Sequence, residues 1–469
     1  MANGETPVTV STLTTPGSPG LPAVSFSDAF RFWLKLGFIN FGGPTGQIAI
    51  MHQELVERRR WISNDRFLHA LSYCMLLPGP EAQQLAIYVG WLLHRTIGGL
   101  AAGIFFVLPA YFVLLALSWL YAVHGKIAWV AAIFFGLRAA VIAIVAAAVI
   151  RIGRTALRNR LMLGIAAVAF VAMFFFKVSF PVVIIAAGAL GLIGARLWPK
   201  TFLAAHPHEA LPAQDQAVIR DDMPPAEHTR PTLRRTAAVL VVGLLAWWGP
   251  LLAVATWRGW HDVLAQEGVF FSKAAMVTFG GAYAVLAYIA QAAVQQFRWL
   301  APGEMLDGLG LAESTPGPLI LVTQFVGFMG AFRNPGGLDP VVAGVLGATV
   351  TVWATFAPCF LWIFLGAPFI ERQRGNVFLG AALSAITAAV VGVILNLAVS
   401  FGLQTLFRTV TEVTALGIVV PVPRLTTVDP IALLLAAVAF VGMWRFRWGI
   451  VPVVGGSAAA GLVLRFLLR

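Results

Sequence analysis

Phe41-Gly42-Gly43-Pro44 and Pro78-Gly79-Pro80-Glu81 decide how this chain is read, because both return later at one spacing. Adding 238 to each number carries Phe41-Gly42-Gly43 to Phe279-Gly280-Gly281 and Pro78-Gly79-Pro80 to Pro316-Gly317-Pro318. The same shift relates Lys35 to Lys273, Gln53 to Gln291, Trp61 to Trp299, and Gly98-Gly99 to Gly336-Gly337. One ungapped offset held from Lys35 to Gly99 marks two copies of a single unit, and repeats dictate architecture before any other signal does.

Outward from those motifs the chain is strongly apolar. With 59% apolar residues, 11% charged residues and a mean hydropathy of +0.84, it reads as an all-α polytopic membrane protein. Runs such as Ile127 to Ile150 and Val377 to Val399 reach the roughly 20 residues needed to cross about 30 Å of hydrocarbon. The net charge of +12 does not indicate nucleic acid, because Lys and Arg stand at the ends of apolar runs, where they orient spans. Cys74 and Cys359 both lie inside apolar segments, so neither a disulfide framework nor a thiolate metal site is indicated. Residues 1–24 carry no basic start and no apolar run, and are expected to form a disordered tail without a signal peptide.

The motifs interrupt helices. Phe26 to Asn40 stops at two glycines and a proline, and Gln47 to Val56 ends in Glu57-Arg58-Arg59-Arg60. Phe67 to Leu77 and Glu81 to Leu93 meet at Pro78-Gly79-Pro80. Helices this short do not span singly, so each pair is expected to dip into the protein and return. Leu100 to Tyr121, Ile127 to Ile150, Leu161 to Phe176 and Phe180 to Leu197 then complete a first repeat over residues 25–197. Residues 198–235 turn to His, Pro, Asp, Glu and Arg and read as a solvated cytoplasmic linker. An additional span and loop occupy 236–267 and a second repeat 268–469, with long spans at Val341 to Leu365 and Val377 to Val399, a loop, and two last spans near Ile431 and Ile450.

Charge placement sets the relative orientation. If hairpins return to their own side, Arg58, Arg59, Arg60, Arg66, Arg95, Arg151, Arg154 and the linker arginines gather on one face, against a sparser set that includes Lys177, Arg258, Arg298 and Arg333 on the other. The additional span would flip the second copy. The expectation is two inverted-topology repeats with broken, re-entrant helices, an arrangement that holds substrate at the repeat interface.

These residues resemble the chromate ion transporter family, long-chain two-domain type, whose halves each carry an F-G-G and a P-G-P motif. The resemblance rests on Phe41-Gly42-Gly43-Pro44, on Pro78-Gly79-Pro80-Glu81 with Gln83 and Gln84, and on the second-copy equivalents. The second copy departs in having Ala282 where Pro44 stands and Leu319 where Glu81 stands. The resemblance implies export of chromate across a bacterial inner membrane, coupled to an ion gradient, with sulfate as the physiological look-alike. A homodimer is compatible with it, and no cofactor is implied.

A tetrahedral oxyanion needs converging donors, and a broken helix supplies N–H groups and a positive dipole end. Candidate binding positions are therefore Asn40, Phe41, Gly42, Gly43, Thr45, Gln47, Pro78, Gly79, Pro80, Gln83 and Gln84, with Gly280, Gly281, Thr315, Pro316, Gly317 and Pro318. The competing reading is that these motifs turn hairpins and let helices pack closely, while the polar groups satisfy broken backbone. Thr278, Glu313, Ser314, Thr323 and Gln324 carry the same two readings. Lys35 and Lys273 either attract the anion or snorkel to the interface. Arg138, unduplicated in the second copy, is an anion contact or the partner of an acid, for which Glu81 is the candidate. Glu81 otherwise couples protons or simply meets the helix dipole. No histidine pair has metal-ligand spacing within an apolar run, and no Walker A, nucleophile elbow or zincin motif is present, which leaves an integral-membrane enzyme without a catalytic constellation.

Overall fold

The computed structural model describes residues 23–41, 43–125, 127–197, 217–220, 229, 231–279, 282–370, 377–415 and 418–467. Gly42, Gly280, Gly281, nearly all of the expected tail and most of the expected linker lie outside the described residues. The described chain is helical, in the order α1 (Phe26–Ile39), α2 (Gly43–His52), α3 (Asn64–Cys74), α4 (Glu81–His124), α5 (Ala128–Ala156), α6 (Arg160–Phe174) and α7 (Phe180–Leu197). After the linker come α8 (Leu233–Arg258), α9 (Val263–Met276), α10 (Ala282–Gln291), α11 (Glu304–Ser314), α12 (Val322–Arg333), α13 (Pro340–Ile370) and α14 (Val377–Leu406). A two-stranded hairpin, β1 (Val410–Ala415) and β2 (Ile418–Pro423), precedes α15 (Pro430–Arg445) and α16 (Ile450–Leu467). Among the described residues six helices, α4, α5, α7, α8, α13 and α14, are long and apolar enough to cross a membrane.

Side-chain caps fix many of the starts. Ser25, Ser63, Asn159, Thr232, Asp262 and Asp429 each accept a hydrogen bond from a backbone N–H of the helix that follows, which satisfies donors that have no partner within the helix. The α4 helix is broken where Glu81 to Leu93 was expected to end: His94 (φ −136°, ψ 35°) and Arg95 (φ 55°, ψ −150°) leave helical geometry. Gly90 and Gly98 then face each other so closely that a Cβ on either would strike the other's carbonyl oxygen. Arm 81–93 thus folds back on arm 96–124, and only glycine permits the approach.

Positions related by 238 share backbone devices. A π-helical turn closes α2 at Gln53–Arg58 and α10 at Ala292–Gln296, and each is followed by an arginine in the left-handed region, Arg60 at φ 54° and Arg298 at φ 55°. Gly79 and Gly317 both adopt φ 117°. The offset does not persist to Gly336 and Gly337, which lie in the connection between α12 and α13 at φ 56° and 89°. The close pair matching Gly90 and Gly98 is Gly327 and Gly347, because the second half carries a longer connection at this point. Beyond it, adding 249 relates Pro109 and Ala110 to Pro358 and Cys359.

Packing is reciprocal between the halves: α5 lies against α15 and α16, while α14 lies against α6 and α7. The expected loop after α14 is instead the β1–β2 hairpin, with Val410 opposite Pro423 and Val419 N–H bonded to the Phe175 carbonyl at 2.8 Å. Its Val, Ile and Thr residues favour strands, and Pro421 and Pro423 are tolerated because each strand has a free edge. Part of the linker also docks, since Ile219 N–H donates to Trp61 C=O at 3.0 Å and Ser63 N–H to Ile219 C=O at 2.9 Å.

Candidate functional site

The two Pro-Gly-Pro loops cross between halves. Gly79 N–H donates to the Thr278 carbonyl at 2.9 Å, and Gly317 N–H donates to the Asn40 carbonyl at 2.7 Å. Asn40 and Thr278 are themselves related by 238. Each loop therefore rests on the residue that precedes the Phe-Gly-Gly motif of the other half. A Cβ at Gly79 would lie 2.9 Å from Cys359 Sγ and 3.0 Å from Gln84 Nε2, and one at Gly317 would collide with Ala110, so the φ of 117° and the close approach both demand glycine.

Each loop launches a helix without a side-chain cap. Pro80 stands at the start of α4, and Pro318 precedes the short 3-10 turn Leu319–Leu321 that leads into α12; neither offers a side-chain acceptor to the first N–H groups that follow, and their carbonyls accept only from Gln84 N–H and Leu321 N–H. Free N–H groups and the positive dipole end at a broken helix are what an oxyanion uses.

Buried polar side chains surround these breaks. Gln47 donates through Nε2 to the Gly317 carbonyl at 2.6 Å, Gln84 to Pro78 at 2.8 Å, Gln83 to Gly103 at 3.3 Å, and Gln324 to Tyr111 at 2.8 Å. The opposite amide atom of all four, both amide atoms of Asn40, and the Thr323 hydroxyl are buried without a hydrogen-bond partner among the described residues. Buried polar atoms are nearly always paired, so this cluster of orphans, four glutamine oxygens that accept and the Asn40 and Thr323 groups that can also donate, calls for polar partners such as water or a guest. Thr315 and Thr278 spend their hydroxyls on their own helices, on Ala312 and Ala274. Gly43 is buried at φ 66° at the start of α2, Phe41 is half-buried beside it, and the side chain of Thr45 lies outside the described residues. Pro78 and Pro316 are half-buried, and Pro318 is buried.

The four ionisable candidates fall in different places. Glu81 is half-buried in the first turn of α4. Lys35 and Lys273 are exposed, Lys35 beside Leu34 and Phe38 on the outer side of α1, so the structure does not bring them to the loops. Arg138 takes a partner other than Glu81: its Nε lies 2.6 Å from Asp307 Oδ1 and its Nη2 2.7 Å from Oδ2, and Tyr121 donates to the same carboxylate at 2.7 Å. The pair joins α5 to α11 of the other half. Sequence reading passed over Asp307, though a lone acid inside the apolar run Met305 to Ala312 was the signal available. A second acid, Glu313, is buried and accepts from Tyr283 at 2.6 Å.

A cavity of about 400 Å³ opens at the far end of α10, between α6, α14 and the hairpin. Its polar lining is Gln291, Gln295, Asn396, Ser400 and Gln404, with Lys177 and Glu412 paired at 3.5 Å across it. Among the described residues no group of three or more His, Cys, Asp or Glu side chains is placed to hold a metal ion.

Known proteins are similar to this chain over most of its length. A chromate transport protein of Pseudomonas aeruginosa is 32% identical over 449 residues, covering 94% of this chain and 92% of the relative. One of Cupriavidus metallidurans is 29% identical over 453 residues, covering 96% and 95%. A probable chromate transport protein of Synechococcus elongatus is 28% identical over 425 residues, covering 90% and 97%. No solved structure matches the chain. The sequence model described as chromate transporter matches residues 27–192 and 266–462, two segments that each contain one Phe-Gly-Gly and one Pro-Gly-Pro break, and the chain therefore belongs to the chromate transporter family.

Proposed function

We propose that the protein exports chromate from a bacterial cytoplasm across the inner membrane as a secondary transporter. The observation that carries the reading is the crossed pair of Pro-Gly-Pro loops, each launching an uncapped helix amid buried, unpartnered amides. The donors for a tetrahedral dianion are the helix-end N–H groups, the Asn40 Nδ2 and the Thr323 hydroxyl, while the glutamine oxygens, which can only accept, suit a water or proton carried with it; a site built of neutral groups can release the anion again. Outward movement of two negative charges is favoured by about 4.6 kcal/mol per 100 mV of inside-negative potential. The potential therefore assists export.

The halves act as inverted-topology repeats in this reading, with α8 as the helix that flips the second. The matched arginine turns, the matched glycines and the reciprocal packing of α5 and α14 support it. The 400 Å³ cavity is then the outer vestibule, on the face away from the linker. Glu81 couples protons to substrate: a charged carboxylate beside the cradle repels the dianion and a neutral one tolerates it. Leu319 takes that position in the second half, which makes the first half the coupled one.

Chromate flux into and out of proteoliposomes, with sulfate as competitor and with imposed pH gradients, tests the proposal. Chromate flux is expected, Glu81→Gln is expected to keep it while removing its pH dependence, and Leu319→Gln is expected to leave that dependence in place. Sulfate carried in preference to chromate would reassign the substrate, and an unchanged pH profile in Glu81→Gln would reduce Glu81 to a helix cap.

A further inference from the structure

Glu267, in the second turn of α9, is wholly buried, and neither carboxylate oxygen has a hydrogen-bond partner among the described residues. It is held in a space that two glycines create. A Cβ at Gly330 of α12 would lie 2.6 Å from Oε1, and one at Gly347 of α13 would lie 2.8 Å from Oε2. Trp299 closes the space, with Cγ 2.9 Å from the same added Cβ at Gly330.

The first half fills the corresponding place without a charge. The offset of 238 relates Glu267 to Ala29, an apolar member of the core. Packing alone thus has an apolar solution in this very fold, whereas a carboxyl without donors loses its hydration and regains nothing. The acid is therefore present for what a carboxyl can do and an alanine cannot.

Other ionisable groups around it are already engaged or distant in the chain. Asp262, at the head of α9, is bound to Arg258 of α8 at 3.1 Å, and Arg333 of α12 is bound to Glu304 at 2.6 Å. Lys273 of α9 is exposed, Arg234 and Arg235 lie at the opposite end of α8, α10 brings Tyr283 and Tyr288, and the described part of α13 brings only the Cys359 thiol. Tyr283 is itself committed to Glu313.

We propose that Glu267 is a proton-binding site of the transport cycle, holding a proton in the state described here and losing it to water when α9 shifts against α12 and α13. The seams at which α9 meets α12 and α13, Gly330–Glu267 and Gly347–Glu267, present glycines to the carboxyl, so such a shift moves Glu267 past backbone and not past interlocked side chains. Release leaves a carboxylate, and rebinding of a proton restores the neutral acid and the closed packing, so the proton's occupancy is tied to the conformation. The inference rests on the transport reading but is independent of the role given to Glu81.

The test compares the wild-type protein with the isosteric Glu267→Gln and with Glu267→Ala, which installs the residue of the first half. At equal pH on both sides, chromate exchange should stay within about twofold of wild type, while flux driven by a pH gradient should fall about tenfold in both variants. Infrared difference spectra between two pH values should show a protonated-carboxyl band in the wild type that is missing from both variants, whether or not flux is measured. A wild-type pH response in a folded variant, or a carboxyl band unchanged by removing Glu267, would overturn the proposal. Absence of chromate exchange in the wild-type protein would instead count against the transport reading, and the infrared comparison would still decide whether Glu267 binds a proton.

Discussion

Replacing Arg138 by glutamine removes both guanidinium bonds to Asp307 and leaves that carboxylate with Tyr121 alone. The side chain of Asp307 is 1% exposed and that of Arg138 37%. Stripping one partner from a buried ion pair costs 3–5 kcal/mol, and because Arg138 reaches solvent the lower end applies, about 3 kcal/mol. Asp307→Asn should cost less, since the guanidinium left behind can hydrate. The double variant no longer buries an unpaired charge, so it should recover about 2 kcal/mol relative to the sum of the single losses. Unfolding in mixed micelles, read as a double-mutant cycle, measures this directly. Single losses that simply add would refute the argument, because they would mean that the two groups do not stabilise one another. Flux through the stable double variant adds a second reading: retained chromate transport makes the pair a tie between halves, and lost transport in a folded protein shows that the guanidinium also meets the anion.

Gly79→Ala and Gly317→Ala each force a side chain into φ 117° and into contact, with Cys359 and Gln84 in one case and Ala110 in the other, and each should cost about 1–3 kcal/mol and abolish flux. Wild-type flux with normal thermal stability in either variant would show that the loops are not held as described. Topology is open to cysteine labelling from outside intact cells, with low background because Cys74 and Cys359 are buried. A cysteine beside Arg298 should label and one beside Arg59 should not, and equal labelling would exclude inverted repeats.

The order of spans and breaks was legible in the sequence because it depends on local properties. Apolar length set α5 and α14, and Phe180 to Leu197 was found to the residue. Gly and Pro marked the interruptions because left-handed φ and the missing N–H act within a few residues of themselves. The resemblance to the chromate transporter family rested on those same local motifs. The site was legible in its parts and not in its pairings. Asn40, Gln47, Gln83 and Gln84 were singled out, yet nothing along the chain says that Gly79 meets Thr278, that Gly317 meets Asn40, or that Gln47 reaches across to the Gly317 carbonyl.

Helix rotation explains the remaining differences. Lys35 and Lys273 recur in step, but a turn of the helix decides whether a charge faces the interior or the outside, and here both face outward. Arg138 needed an acid, and Glu81, Glu267, Asp307 and Glu313 all stand in apolar company; only the packing of α5 against α11 chose Asp307. The slip from Gly336 to Gly347 shows that a constant spacing survives only until a loop changes length, whereas the close glycine contact is defined by which helices touch. Burial without a partner, as at Glu267, is likewise decided by three helices converging, because a carboxyl's neighbours are set by tertiary packing and not by its position in the chain.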